Sequence, residues 1–191
     1  MTIMILGLVV FLGVHSIRIV AEPWRQARIQ QMGLMAWKGL YSVVALIGLV
    51  LVIWGYGQTR LDPVWVWQPP TALRHLTLLL MIPAMILLVA AYVPGNALKA
   101  RLGHPMLLAV KVWALAHLLA NGRLSDIILF VAFLVWAVLA FRAARRREPA
   151  AGGGDRGAAT LITMVLGLVL YGLFAGVLHA WLIGVPVMPG A

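Results

Sequence analysis

The stretch YVPGNALKARLGHPMLLAVKVWALAHLLANGRL, residues 92–124, decides the fold class. It carries His104, Lys111, His117 and Asn121 on one apolar segment. Such a segment is typical of a membrane span, where an ionisable side chain is costly, about 2.5–3.5 kcal/mol for a central lysine on insertion scales. Ionisable residues inside a span are therefore predicted to serve function.

The whole chain has the composition of an integral membrane protein. Of its 191 residues, 63% are hydrophobic and 10% are charged, whereas soluble domains carry about 25% charged residues. This composition predicts an all-α, polytopic transmembrane helical bundle, with residues 1–191 as a single membrane domain. The absence of cysteine excludes disulfides, thiolate haem ligation and iron–sulfur clusters. Nucleic-acid binding is not expected, because the formal charge of +10 comes mainly from loops that flank the spans.

Six apolar stretches are predicted to cross the membrane, since a bilayer core needs about 20 apolar residues in a helix. The five loops between them alternate in charge, with eleven basic residues in the odd loops and three in the even loops. The positive-inside rule then places the odd loops in the cytoplasm and both termini on the opposite, periplasmic side. The predicted spans are residues 3–20, 40–57, 72–93, 105–121, 125–141 and 161–183.

Three loops have their own predicted structure. The first, residues 21–39, alternates apolar and basic residues and predicts an amphipathic helix on the cytoplasmic surface. The second holds Trp65 and Trp67, typical of an interfacial aromatic belt, among prolines that stop a helix. Residues 147–160 are rich in glycine and predict a flexible linker before the last span.

Two histidines lie well inside predicted spans. His15 is about 20 Å from the outer end of the first span, and His117 is about 18 Å from the cytoplasmic end of the fourth. Trp113, His117 and Asn121 are spaced i, i+4 and share one face. Each histidine is either an imidazole packed between helices or a ligand to a metal or haem.

His104 and Lys111 lie nearer the cytoplasmic end of the fourth span. Thirteen residues separate His104 from His117, about 220° and 20 Å on a regular helix, so the two cannot bind one metal together. His104 is a partner for a propionate or substrate, or a helix cap. Lys111 either extends to the surface or pairs with an anionic group. His75 and His179, near the outer ends of spans, are expected to be structural.

Other chemistries lack their residues. No carboxylate pair lies within a predicted span, and the sequence has no HExxH zinc motif, phosphate loop or nucleophile elbow. A buried site with only nitrogen ligands favours haem. Two histidines on different helices could clamp the iron while basic residues hold the propionates.

The segments HSIR, AAYVPGN, GHPML and KVWALAHLLANG resemble those of the NnrU family of bacterial membrane proteins. The resemblance runs from about residue 11 to residue 181. It implies a protein of the bacterial inner membrane. The family is named for its association with nitric oxide and nitrite reductase expression in denitrifying bacteria. A redox role, with nitric oxide as ligand or a membrane reductase as partner, is therefore expected.

The NnrU family is in turn similar to the 15-cis-ζ-carotene isomerase, a membrane haem b protein that isomerises a polyene. Its haem ligands match His15 and His117, and the resemblance implies haem b as the cofactor. The further cofactor-binding residues expected near the propionates are His104, Arg18, Arg101 and Lys111. Ala114 stands where the isomerase has a cysteine proposed to act in ligand exchange, which weakens the expectation of isomerase activity.

These patterns leave the function open between a haem-binding redox module and a haem-dependent isomerase of an apolar polyene. The HP pair also resembles isoprenylcysteine methyltransferases, which implies a third alternative without haem, although Gly103 replaces the arginine of their RHP signature. The expected depths of His15 and His117 differ by about 8 Å. Side-chain reach and helix tilt can absorb this offset, so the pairing of the two histidines is permitted but not required.

Overall fold

Helices form the regular structure of the part of the chain that the computed structural model describes, residues 1–150, 152 and 157–187. These ranges contain one isolated bridge, between Trp65 and Arg123, and no strand. The predicted all-α class is confirmed. The helices are α1 (Thr2–Val20), α2 (Glu22–Met32), α3 (Leu34–Thr59), α4 (Thr71–Ala90), α5 (Ala97–Leu102), α6 (Pro105–Ala120), α7 (Leu124–Arg147), α8 (Gly157–Leu173) and α9 (His179–Ile183), with a π-helical turn at Phe174–Leu178 between the last two.

Within the described residues, five helical stretches are long and apolar enough to cross a bilayer: α1, α3, α4, α7 and the continuous stretch Gly157–Ile183. The sixth predicted span, α6, has 16 residues. Its length of about 24 Å is less than the roughly 30 Å of a hydrocarbon core. Large apolar side chains on the outer faces of the spans are exposed, as with Val9 at 65% and Leu46 at 60%. These faces are suited to contact lipid.

The first predicted loop, residues 21–39, contains the helix α2, but its last residues, 34–39, already belong to α3. The prolines of the second loop lie between α3 and α4, as predicted. The linker predicted for residues 147–160 is too long at both ends, because Arg147 ends α7 and residues 157–160 form the first turn of α8. Ala158 and Ala159 favour a helix there. Residues 151 and 153–156 of this predicted linker lie outside the described ranges.

The spans pack as a row in the order α3, α1, α7, α6, α4, α8. Helix α7 therefore lies between α1 and α6, which carry the two predicted haem ligands. The two ends of the row meet at one point, where the Arg60 guanidinium after α3 donates hydrogen bonds to the carbonyls of Ile183 (2.6 Å) and Gly184 (3.5 Å).

Glycines allow α1 and α3 to pack closely. A methyl group added at Gly7 would lie 2.5 Å from the backbone nitrogen of Val52, and one added at Gly48 would lie 2.7 Å from that of Phe11. No real Cβ tolerates such contacts with backbone atoms. The two backbones therefore touch at positions where a side chain has no room.

The segment between α4 and α6 is held by one buried asparagine. The Asn96 side chain accepts a hydrogen bond from the Lys99 amide (2.8 Å), which caps α5, and donates to the carbonyls of Ala90 and Val93. Gly103, at φ +76°, makes the turn into α6. His104 therefore lies at the same end of the bundle as α2 and the last turn of α7, which we call the basic end.

Candidate functional site

The imidazole of His15 is held in one orientation. Its Nδ1–H donates to the carbonyl of Phe11 one turn earlier on α1, at 2.6 Å. The ring contacts Tyr41 of α3 and Trp136 of α7, with centroids 5.3 and 5.9 Å away. With Nδ1 as the donor, Nε2 carries the lone pair, which is the arrangement of a metal-binding histidine.

His117 repeats this arrangement on α6. Its Nδ1–H donates to the carbonyl of Trp113 at 2.8 Å, and its ring lies 4.8 Å from that of Phe130 on α7. The Asn121 amide donates to the His117 carbonyl at 2.8 Å. The predicted common face of Trp113, His117 and Asn121 is thus present, since the Trp113 and His117 rings are also 5.3 Å apart.

Aromatic rings separate the two imidazoles. Phe133 of α7 contacts Phe11 on one side (5.9 Å between centroids) and Trp113 on the other (5.4 Å). His15 and His117 contact α7 at Trp136 and Phe130, six residues apart, which is about 9 Å along the helix. The offset expected from the sequence is therefore retained rather than absorbed by tilt. We call this row of rings on and around α7 the aromatic seam.

The donor set fits haem iron, but the spacing of the donors does not yet bring them to one iron. Among the described residues, neither Nε2 has a hydrogen-bond partner, and each imidazole lies beside apolar rings, which would suit a ligand of haem iron. One iron bound by both needs the two nitrogens within about 4 Å of each other, judged from metal–histidine distances near 2 Å. The side chains of Phe11, Phe133 and Trp113 must move aside for that.

Three of the other predicted cofactor-binding residues meet at the basic end. His104 Nε2–H donates to the Glu148 carbonyl at 3.0 Å, and Arg18 pairs with the Glu148 carboxylate at 3.4 Å. Lys111 places its Nζ 3.7 Å from the centroid of Phe141. This lysine therefore makes a cation–π contact toward the basic end.

The remaining predicted site residue and the other two histidines lie apart from this cluster. Arg101 is exposed in the last turn of α5. His75 is exposed on α4, and His179 Nδ1–H donates to the Val185 carbonyl at 2.7 Å. Among the described residues, no group of three or more histidine, cysteine, aspartate or glutamate side chains is placed to hold a metal ion. A metal ion bound by the described residues would therefore have to be held by single imidazoles.

A family model described as NnrU protein matches residues 3–187 of the chain. The chain belongs to the NnrU family. This confirms the resemblance drawn from the sequence motifs. No curated protein and no solved structure matches the chain.

In this NnrU-family fold, the motif segments are parts of the same assembly. HSIR supplies His15 and Arg18 from α1, and GHPML opens α6 at the basic end. WALAHLLANG brings Trp113 and His117 against α7. Of the segments that carry the family resemblance, HSIR and WALAHLLANG therefore contact the aromatic seam, whereas GHPML lies at the basic end.

Two features of the site escaped the sequence analysis. Trp136, beside His15, buries its indole Nε1–H with no hydrogen-bond partner among the described residues. Such a donor is costly to leave unpaired. The spacing of Phe130, Phe133 and Trp136 by three residues on α7 was the available signal, since it places three aromatic rings along one side of a helix.

The second missed feature is a buried carboxylate. Asp126, in the first turn of α7, is only 2% exposed and accepts a hydrogen bond from the Tyr56 hydroxyl of α3 at 2.6 Å. The sequence placed Asp126 at a span end, where a solvated carboxylate is the usual case. A lone carboxylate at a helix start is stabilised by the helix dipole, so its charge alone did not reveal its burial.

Glu22 at the basic end is the centre of a small ion-pair group. Burial raises the pKa of its carboxyl, but the hydrogen bond from Gln26 and the charges of Arg25 and Arg18 together hold that pKa below its usual value. Arg25 lies 2.9 Å and Arg18 3.5 Å from its oxygens. The carboxylate therefore stays ionised at neutral pH and joins α2 to α1.

We expect Tyr56→Phe to destabilise the protein, because it leaves the buried Asp126 carboxylate without its hydroxyl donor. The expected loss is about 1–3 kcal/mol in the free energy of unfolding, measured by circular dichroism in detergent. Tyr92, 71% exposed, offers the matched control. Tyr92→Phe is expected to change stability by less than about 0.5 kcal/mol. Equal stability of the two variants would refute the role given to this hydrogen bond.

Proposed function

We propose that this NnrU-family protein binds haem b within the membrane, and that His15 and His117 would hold its iron. The observation that carries the proposal is the shared arrangement of the two imidazoles. Each donates Nδ1–H to the carbonyl four residues earlier and so presents Nε2, and each lies against the aromatic seam of α7. Fixing the tautomer in this way is how proteins prepare a histidine to bind a metal.

The residues of the seam have to make room for the ring system. Phe133 is the central one, because it contacts both Phe11 and Trp113. Helices α1 and α6 pack on α7 on either side of it. Since α7 lies between α1 and α6, bringing both imidazoles to one iron would require these helices to shift as well as the Phe133 and Trp113 side chains to turn aside.

The basic end would hold the propionates. Lys111 supports this role, because its Nζ contacts the Phe141 ring and no carboxylate among the described residues. His104 and Arg18 lie beside it through Glu148, and the exposed Arg101 adds positive charge at the same end. Four positive or polar groups at one end of the bundle suit a cofactor with two carboxylates at one edge.

If haem b is bound, it supplies one-electron redox chemistry, and nitric oxide would have to take the place of one of the two histidines. The family's association with denitrification makes nitric oxide handling, or support of a membrane reductase, the role we propose. The positive-inside rule orients the basic end to the cytoplasm of a bacterial inner membrane, with both termini periplasmic. Ala114, fully buried, has no group for ligand exchange, so isomerase activity is not proposed.

The test is an absorption spectrum of the detergent-purified protein, oxidised and dithionite-reduced, with a pyridine haemochrome assay. We expect about one haem b per chain and the sharp reduced bands of a low-spin, six-coordinate iron. Protein that remains free of haem after expression with added haem precursor would refute the proposal.

A further inference from the structure

We propose that a groove between α1 and α3 binds one acyl chain of an anionic phospholipid, whose headgroup lies on the basic residues of α2 and α3. The groove has a volume of about 460 Å³ and faces the outside of the bundle. This volume is within the range of small-molecule sites, about 300–1,000 Å³. Its wall includes Val10, Gly13, Val14, Trp24, Trp37 and Tyr41.

The walls of the groove suit a hydrocarbon chain. Apart from the hydroxyl of Tyr41 and the indole N–H groups of Trp24 and Trp37, its lining side chains are hydrocarbon. Gly13 contributes no side chain, and a methyl group added there would meet no described atom within 4 Å. The groove thus runs along α1 at a point where the helix has left space open to the membrane.

Two tryptophans close the groove at the basic end. Trp24 of α2 and Trp37 of α3 pack edge to face, with centroids 5.7 Å apart. Trp37 is 7% exposed, whereas Trp24 is 48% exposed. Tryptophan is favoured at the level of lipid headgroups, because its ring is apolar and its N–H is polar. The pair therefore marks where an acyl chain ends and a headgroup begins.

Positive charge at this end of the groove favours an anionic headgroup. The Arg28 guanidinium lies 5.6 Å from the Trp24 ring and donates to Gln31, and Lys38 is exposed one residue after Trp37. Among the described residues, neither Arg28 nor Lys38 has an acidic partner, whereas Arg25 is already paired with Glu22. An arginine at the Trp24 ring and an exposed lysine next to Trp37 in the chain complement a phosphate that carries a net negative charge.

The experiment uses the full chain, purified and incubated with equal amounts of phosphatidylglycerol and phosphatidylcholine, and native mass spectrometry to count retained lipid. Gly13→Leu fills the groove. Gly57→Leu on α3 is the matched control, since a methyl group there also meets no described atom within 4 Å. We expect Gly13→Leu to reduce retained phosphatidylglycerol at least about threefold and Gly57→Leu to leave it unchanged. Of these two glycines, Gly13 lines the groove and Gly57 does not.

A second pair of changes tests the headgroup. The two single variants Arg28→Gln and Lys38→Gln leave the walls of the groove unchanged. Each variant is expected to lower the preference for phosphatidylglycerol about fivefold, which is the effect of one basic residue at an anionic surface. Equal retention by Gly13→Leu and Gly57→Leu, or equal retention of the two lipids by the unchanged protein, would overturn the proposal. The proposal would also be overturned if the molecule retained in this groove were apolar and carried no phosphate.

Discussion

His117→Ala is expected to lose haem from the purified protein, to below about one-tenth of the haem content of the unchanged chain. Loss of a second-sphere partner already costs a metal site about 10–100-fold in affinity, and an axial ligand costs more. His15→Ala is expected to act in the same direction. The measurement is the ratio of haem to protein from the pyridine haemochrome assay, with the reduced spectrum of whatever haem remains.

The matched control is His75→Ala, which removes an exposed imidazole from α4. It is expected to keep full haem content. Imidazole added during purification of His117→Gly is expected to restore the low-spin bands, because it replaces the missing Nε2. A protein merely misfolded by the substitution would not respond to imidazole. Haem retained in both single alanine variants would exclude this pair of ligands.

The spans could be predicted from the sequence because each one depends on local properties. A run of apolar residues predicts a spanning helix wherever it lands in the bundle, and Pro63, Pro69 and Pro70 end helices by their own geometry. The boundaries moved by a few residues where the chain kept helical propensity beyond the apolar run. Helix α7, for example, continues past Phe141 to Arg147.

The order of helices in the row was not accessible in this way. Nothing local to α1 or α6 indicates that α7 separates them, because lipid and protein are equally apolar and leave the same hydrophobic pattern. The arrangement of the candidate site could not be predicted from the sequence for the same reason. The motifs identified His15 and His117, whereas the rings of Phe133 and Trp113 between them follow from the packing of three helices. The burial of Asp126 likewise depends on Tyr56, which is 70 residues earlier.

The close contact of α1 and α3 leads to the second large effect. Gly48→Leu is expected to lower the free energy of unfolding by at least about 1–3 kcal/mol, the usual cost of overpacking. Its first side-chain carbon would lie 2.7 Å from the backbone nitrogen and 2.9 Å from the Cα of Phe11. Backbone atoms cannot rotate away as a flexible side chain does, so the helices must separate. Thermal unfolding in detergent, followed by circular dichroism, measures the loss.

Gly57→Leu is the matched control, because it makes the same change on the same helix where no described atom lies within 4 Å. It is expected to leave stability nearly unchanged. Gly48 also supports the proposed site, since Phe11 lies on it and accepts the Nδ1–H bond of His15 through its carbonyl. Separation of α1 from α3 therefore displaces His15, and Gly48→Leu is expected to reduce haem content as well as stability. If Gly48→Leu unfolds at the same temperature as Gly57→Leu, the close packing of these two helices is wrong, and with it the support that α3 gives to His15.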